Sequence, residues 1–185
     1  LRNRCALFVY TAVFLEGFLL WGGMTYLGSF ATHRYRLDQF TIGLLIALLG
    51  VGTMVGGTLM NRVKRRFSEN DMAVGGGMLM GASFLMLIPN WSSLAFGMST
   101  FILGLGFVAL HTTLQLRGTE ISSAARGKAF SLFACSLFLG IATGSAAFGW
   151  LANDGCYETM FAIAGLGLVG VGLATARAPD DRAHY

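Results

Sequence analysis

The stretch Gly57-Thr58-Leu59-Met60-Asn61-Arg62-Val63-Lys64-Arg65-Arg66-Phe67 decides how the rest of the chain is read. Its four cations, Arg62, Lys64, Arg65 and Arg66, crowd into five positions, and an apolar, glycine-rich run lies on either side. Each run is long enough for a helix, so the stretch is a basic hinge between two helices. If those helices cross a bilayer, the hinge marks the cytoplasmic side and fixes the direction of every other segment.

The composition says that they do cross. Of 185 residues, 55% are hydrophobic and only 12% charged, with a mean hydropathy of +0.64. A soluble domain carries about 25% charged residues, so this chain has too little polar surface to cover a water-exposed globule. There are 26 glycines against two prolines, and glycine is frequent where transmembrane backbones pack closely. The formal charge of +4 raises the question of nucleic acid. The cations are spread over short hinges rather than one solvated face, which argues against such a partner. Cys5, Cys135 and Cys156 form no CxxC pair and no cluster with histidine, so no metal or cofactor is expected and they read as small buried hydrophobes.

Six apolar segments follow one another: Ala6–Phe30, Phe40–Met60, Met72–Ile88, Leu94–Leu116, Ala129–Leu151 and Thr159–Ala176. Crossing ~30 Å of hydrocarbon takes ~20 helical residues, and most segments supply them. The third is short and is expected to extend beyond its apolar part. None alternates with the period of two of a membrane β-strand. The fold class is therefore an all-α membrane protein with six transmembrane helices. The connections, Ala31–Gln39, Asn61–Asp71, Pro89–Ser93, Arg117–Lys128 and Ala152–Glu158, are brief, so successive helices run antiparallel. On one side lie Arg2, Arg4, Arg62, Lys64, Arg65, Arg66, Arg117, Arg126, Lys128, Arg177 and Arg182; on the other, only Arg34 and Arg36. That asymmetry places both termini and the hinge in the cytoplasm, with residues 177–185 as a short cytoplasmic tail.

Glycines recur at packing spacing in Gly52/Gly56, Gly77/Gly81 and Gly140/Gly144. The second and fifth segments share a loose pattern, Leu49-Gly50 with Gly56-Gly57 against Leu139-Gly140 with Gly144 and Gly149. Each is the middle member of a group of three, which suggests an inverted 3+3 repeat.

The hinge resembles the loop signature of the major facilitator superfamily, G-x-L-x-D-R-x-G-R-R, found between the second and third helices of each six-helix half. Gly57, Leu59, Arg62, Arg65 and Arg66 match it; Asn61 stands in place of the Asp and Lys64 in place of the second Gly. Tyr26-Leu27-Gly28, Arg126-Gly127 with Ala129, and Gly149-Trp150 followed by Phe161 agree in place and character. The resemblance implies the C-terminal six-helix half of a twelve-helix transporter, because the acidic residue is the part more often lost from the second copy. Residues 1–185 would form one bundle, partnered by an N-terminal half, in a bacterial cytoplasmic (inner) membrane. With Asn61 uncharged, the charge latch of the family's loop is not expected here.

Glu16 stands out within the first segment. It lies ~15 Å in by helix rise, near the bilayer midplane. An ionised carboxylate there costs ~2.5–3.5 kcal/mol, so it faces a cavity or a partner, or carries a proton; a proton-coupling role follows. On the fourth segment Thr100, Gly104, His111 and Gln115 fall within about 60° of one another, a polar and small stripe suited to one wall of a water-accessible path. In the resembled family the first and fourth helices line the central cavity. His111 titrates in a useful range but lies only ~7 Å from the segment's cytoplasmic end, which makes it a poor direct partner for Glu16. Tyr10, Trp21 and Met24 share another side of the first helix, where Tyr10 and Trp21 would line an apolar solute surface or pack between helices. Tyr26 and Trp91 read as interfacial anchors, and Arg117 with Glu120 as an i,i+3 pair.

The function these readings favour is secondary active transport of a small organic solute by alternating access, coupled to protons; the resemblance to efflux-type members of the family implies the efflux direction, as an antiporter of a drug, sugar or metabolite. No enzyme activity is expected. The rivals are a membrane scaffold or receptor on the same fold and a rhomboid-like intramembrane protease. For the latter, Gly81-Ala82-Ser83-Phe84 lacks the second glycine, and helix rise sets Ser83 about 10 Å from the level of His111.

Overall fold

A computed structural model describes residues 2–89, 91–121 and 125–178. The tail from residue 179 onward, Arg182 included, and the side chains of Arg2, Asn3 and Asn61 lie outside the described residues. Six helical rods succeed one another. The first, α1, occupies residues 2–35 in pieces: α-helix Arg2–Glu16, a π-helical turn Gly17–Trp21, α-helix Gly22–Met24, a turn at Thr25 and Tyr26, and α-helix Leu27–Tyr35. Then come α2 (Gln39–Val63), α3 (Glu69–Leu85), α4 (Ser93–Glu120), α5 (Arg126–Asn153) and α6 (Tyr157–Arg177). All but α3 are long and apolar enough to cross a membrane.

Local chemistry sets the ends. Arg36 closes α1 in the left-handed region at φ 52°. Asp38 then caps α2, accepting from the Thr41 N–H at 3.0 Å and the Thr41 hydroxyl at 2.6 Å. At the basic hinge α2 runs on to Val63, and Lys64–Phe67 is a single turn wound on the carbonyls of Met60, Arg62 and Val63. Ser68 starts α3 through a capping box: Asp71 N–H donates to the Ser68 hydroxyl, and Ser68 N–H donates to the Asp71 carboxylate at 2.9 Å. The expected lengthening of α3 is not found. Its 17 residues are shifted three positions towards the hinge, because the capping box starts it at Glu69 and it loosens after Leu85 into short i→i+3 turns.

Helix pairing follows the glycines. A side chain on Gly17 of α1 would collide with Leu137 and Ile141 of α5, and one on Gly104 of α4 would collide with Leu49 and Thr53 of α2. Gly140 of α5 presses on Phe14 and Phe18 of α1, just as Gly52 of α2 presses on Phe101 and Leu105 of α4. The same four-point contact thus occurs twice at nearly one sequence offset, relating α1 to α4 and α2 to α5. The α3/α6 contact, through Gly77, Gly81, Gly165 and Gly172, maps onto itself. This is the inverted 3+3 repeat, and close backbone approach is what holds it together.

The core runs along α1, α3, α4 and α6, with Phe84, Phe96 and Phe161 among its most buried rings, and Phe133 of α5 reaches into it. In contrast, α2 and α5 show much of their surface, including Phe40, Met54, Phe138 and Trp150. The cysteines are not buried hydrophobes: Cys135 and Cys156 are exposed and Cys5 is partly so. Cys135 sits on the open face of α5 and Cys156 in the turn before α6, where no neighbouring helix covers them.

Candidate functional site

Glu16 is fully buried within the six helices. Its Oε2 lies 3.0 Å from Nδ1 of His111, whose side chain keeps 17% exposure. This overturns the expectation that the two lie too far apart. The fourth helix does not stop at Leu116; it continues to Glu120, so His111 is ~13 Å from its end by helix rise rather than ~7 Å. The contact itself sets both groups at one level of the bundle. In the pair, either the His111 N–H donates to the carboxylate or the protonated carboxyl donates to the imidazole.

The surroundings fix the pair's geometry. The His111 ring stacks on Phe107 at 4.8 Å between centroids, and the edge of Phe133 meets it at 5.7 Å. Trp21 packs edge-on against Phe107 at 5.8 Å. Trp21 belongs to the π-helical turn that begins directly after Glu16. Such a turn widens the helix and shifts the side chains beyond it, and turns of this kind occur frequently at functional sites. Two buried polar atoms here have no hydrogen-bond partner among the described residues: Glu16 Oε1 and Trp21 Nε1.

The remaining expectations divide. Tyr10 is half-buried, its hydroxyl 3.5 Å from the Ala129 carbonyl of α5, which is a packing contact. Tyr26 is not an exposed anchor but donates to the Ser145 carbonyl at 2.7 Å, tying α1 to α5, whereas Trp91 is exposed. The polar stripe on α4 does not form one wall. Thr100 is buried and donates to Leu45 O (2.6 Å), and Gly104 lies against Leu49, so both face α2. His111 faces α1 instead, and Gln115 is half-buried further along. A helical wheel treats α4 as straight with one neighbour; here it passes from α2 to α1 along its length.

In the hinge, Gly57 has open space around it, Leu59 is 41% exposed, and Arg62, Arg65 and Arg66 are exposed. The cation that ties the hinge end together is Arg117, which the sequence reading had only as the partner of Glu120. It donates to the Thr175 carbonyl of α6 and to Asn70 Oδ1 of α3, each at 2.6 Å, with Glu69 4.0 Å away. The protease geometry does not form: the Ser83 hydroxyl donates to Met80 O at 2.7 Å, while His111 is engaged with Glu16.

One signal in the sequence points to the Glu16–His111 pair. They are the only acidic or basic side chains inside the six apolar segments, and two such groups in a nonpolar bundle are best placed against each other.

A bundle of six helices built as an inverted 3+3 repeat, five of them long and apolar enough to cross a membrane, defines a six-helix membrane-protein fold. Residues 9–181 match the family described as transmembrane secretion effector, and the chain belongs to the major facilitator superfamily. A relative described as an uncharacterized MFS-type transporter, YceJ of Bacillus subtilis (strain 168), is 27% identical over 150 residues, covering 76% of this chain and 37% of its own. Crystal structures of a peptide transporter POT variant, in complex with sulfate and with alafosfalin, share the fold. Both superpose with a TM-score of 0.76, at 19% and 20% identity, covering 92% and 94% of this chain and 36% and 38% of theirs. The chain thus spans little more than a third of the length of the proteins it matches.

Proposed function

We propose that the chain is the C-terminal half of a twelve-helix secondary transporter that moves a small organic solute by alternating access, coupled to protons in the efflux direction. Its partner is an N-terminal six-helix half, its setting a bacterial inner membrane, and its termini and basic hinge are cytoplasmic. Glu16 takes up and releases the coupling proton, with His111 passing it to and from the partly exposed face of the bundle. Thr100, Gly104, Tyr10 and Trp21 set the positions of α1 and α4 around that step.

The observation that carries this reading is the Glu16–His111 contact together with the asymmetry of the repeat. Gly17 and Gly104 occupy equivalent places in the two copies. The residue before Gly104 is Leu103, buried and apolar; the residue before Gly17 is Glu16. Packing is satisfied by leucine in one copy, so the carboxyl in the other serves something besides packing. Family membership supports transport in general, while direction and solute rest on the resemblance alone.

The test uses full-length protein in liposomes with an imposed pH gradient and a panel of fluorescent organic solutes. Glu16→Gln is expected to lose gradient-driven flux while still exchanging solute without a gradient. Gradient-driven flux equal to wild type in Glu16→Gln overturns the coupling role.

A further inference from the structure

At the end of the bundle opposite the basic hinge lies a pocket of about 520 Å³, bounded by the last turns of α1, the α5–α6 turn and the start of α6. Its lining includes Phe30, His33, Arg34, Asn153, Tyr157 and Glu158. We propose that this pocket binds a phosphate group, carried by a lipid headgroup or by a soluble phosphate ester.

Among the described side chains, Arg34 is one of two lysines or arginines at this end of the helices, against nine at the other, so its presence here calls for a local use. Its guanidinium is only partly engaged. Nη2 donates to the Ile88 carbonyl at 3.1 Å and to Glu158 Oε1 at 3.4 Å, while Nε is buried with no acceptor among the described residues. An Arg guanidinium carries five N–H donors whose planar geometry suits the oxygens of a phosphate, and the two Nη2 contacts do not exhaust them.

The Glu158 carboxylate shows that an oxyanion fits against this cation. It is a loose occupant, since 3.4 Å is well beyond the ~2.7–2.9 Å of a tight charge-assisted bond and its side chain is 59% exposed. A phosphate brings more acceptor oxygens than a carboxylate and displaces it towards solvent. His33 adds a second donor, its ring set against Tyr157 at 6.1 Å. The floor is aromatic: Phe30 and Tyr157 lie 5.7 Å apart, with the Arg34 guanidinium 6.0 Å above Phe30. That surface accepts the glycerol or acyl part of a ligand. A cation would meet one carboxylate already shared with Arg34, which disfavours it. Trp91 in the turn before α4 and Trp150 near the end of α5, 56% and 80% exposed, mark this end as interfacial, the depth at which headgroup phosphates lie.

The test is binding to full-length protein in detergent, followed by thermal shift and native mass spectrometry. The probes are short-chain phosphatidylglycerol, the diacylglycerol with the same chains but no phosphate, and glycerol phosphate. Stabilisation by phosphatidylglycerol alone identifies a lipid headgroup site; stabilisation by glycerol phosphate as well identifies a site for the soluble ester. In either case Arg34→Gln weakens binding about tenfold or more, the equivalent of one charge-assisted hydrogen bond. Glu158→Gln, which removes the resident anion while leaving Arg34 intact, binds tighter than wild type. Equal stabilisation by the phosphate-free diacylglycerol, no stabilisation by either phosphate probe, or Glu158→Gln binding no better than wild type overturns the proposal.

Discussion

Replacing Gly144 by alanine tests whether backbone contact between α1 and α5 holds the bundle. A methyl group built on Gly144 lies 2.7 Å from Phe18 Cα and 2.8 Å from Phe18 C, and closer still to the Phe18 carbonyl oxygen. Carbon atoms in contact prefer ~3.5–4.0 Å, so the shortfall is roughly 1 Å. Every atom in the way is backbone, and no side-chain rotation relieves it. The two helices must part along a seam that Gly17, Gly22 and Gly140 also hold closed. Overpacking of this kind costs ~1–3 kcal/mol, and the better helix propensity of alanine offsets up to ~1 kcal/mol. A net loss of about 1–2 kcal/mol lowers the melting temperature by a few degrees, less than the ~2–8 °C expected for a domain of 150–250 residues alone. Gly170, exposed on α6 with nothing near its absent Cβ, is the control: Gly170→Ala melts at or slightly above wild type. The assay is thermal unfolding of full-length protein in detergent, followed by tryptophan fluorescence. Gly144→Ala melting with wild type, or Gly170→Ala falling as far, would refute the packing account.

Three further outcomes follow from the contacts. Arg117→Met removes the bonds to Thr175 and Asn70 from a side chain that is 10% exposed, and is expected to lose about 2–3 kcal/mol by chemical unfolding; an unchanged midpoint contradicts the clasp. Thr100→Val loses the bond to Leu45 O and about 1 kcal/mol of stability without altering solute specificity, whereas a change of specificity at wild-type stability would return Thr100 to the solute path. The Ser68 side chain, and then its backbone N–H, hold the Asp71 carboxyl below the usual carboxylate range. With the folded value below the unfolded one, the contribution is complete above about pH 4 and is lost as pH falls through the folded value. Melting curves of wild type and Asp71→Asn should therefore converge as the pH drops below about 4; a constant gap across that window would show that the capping bond does not titrate.

Helix number and order were legible because each rests on a run of residues. Six apolar stretches and short connections leave few other arrangements, and Gly52, Gly56, Gly140 and Gly144 already had the spacing of helix contacts. What stayed hidden depended on where helices end and whom they touch. Reading α4 only to Leu116 put His111 too near the surface; the polar turn Arg117–Glu120 continues the helix, and hydropathy is blind to it. The π-helical turn after Glu16 leaves no mark in periodicity, since five residues of Gly-Phe-Leu-Leu-Trp look like ordinary helix. Tyr26 resembled an interfacial anchor by position alone, and only the neighbouring Ser145 carbonyl shows that it ties two helices. Arg117 was assigned its local neighbour because sequence shows i,i+3 partners and not the end of α6.

The claim that Glu16 and His111 share a transported proton is tested most directly by infrared difference spectroscopy of full-length protein in lipid, taken between high and low pH. The account predicts a protonated-carboxyl C=O band that disappears in Glu16→Gln and shifts in frequency and midpoint in His111→Gln, whose ring no longer faces Oε2. A spectrum in which Glu16→Gln removes nothing, or in which the Glu16 band is indifferent to His111→Gln, would contradict it.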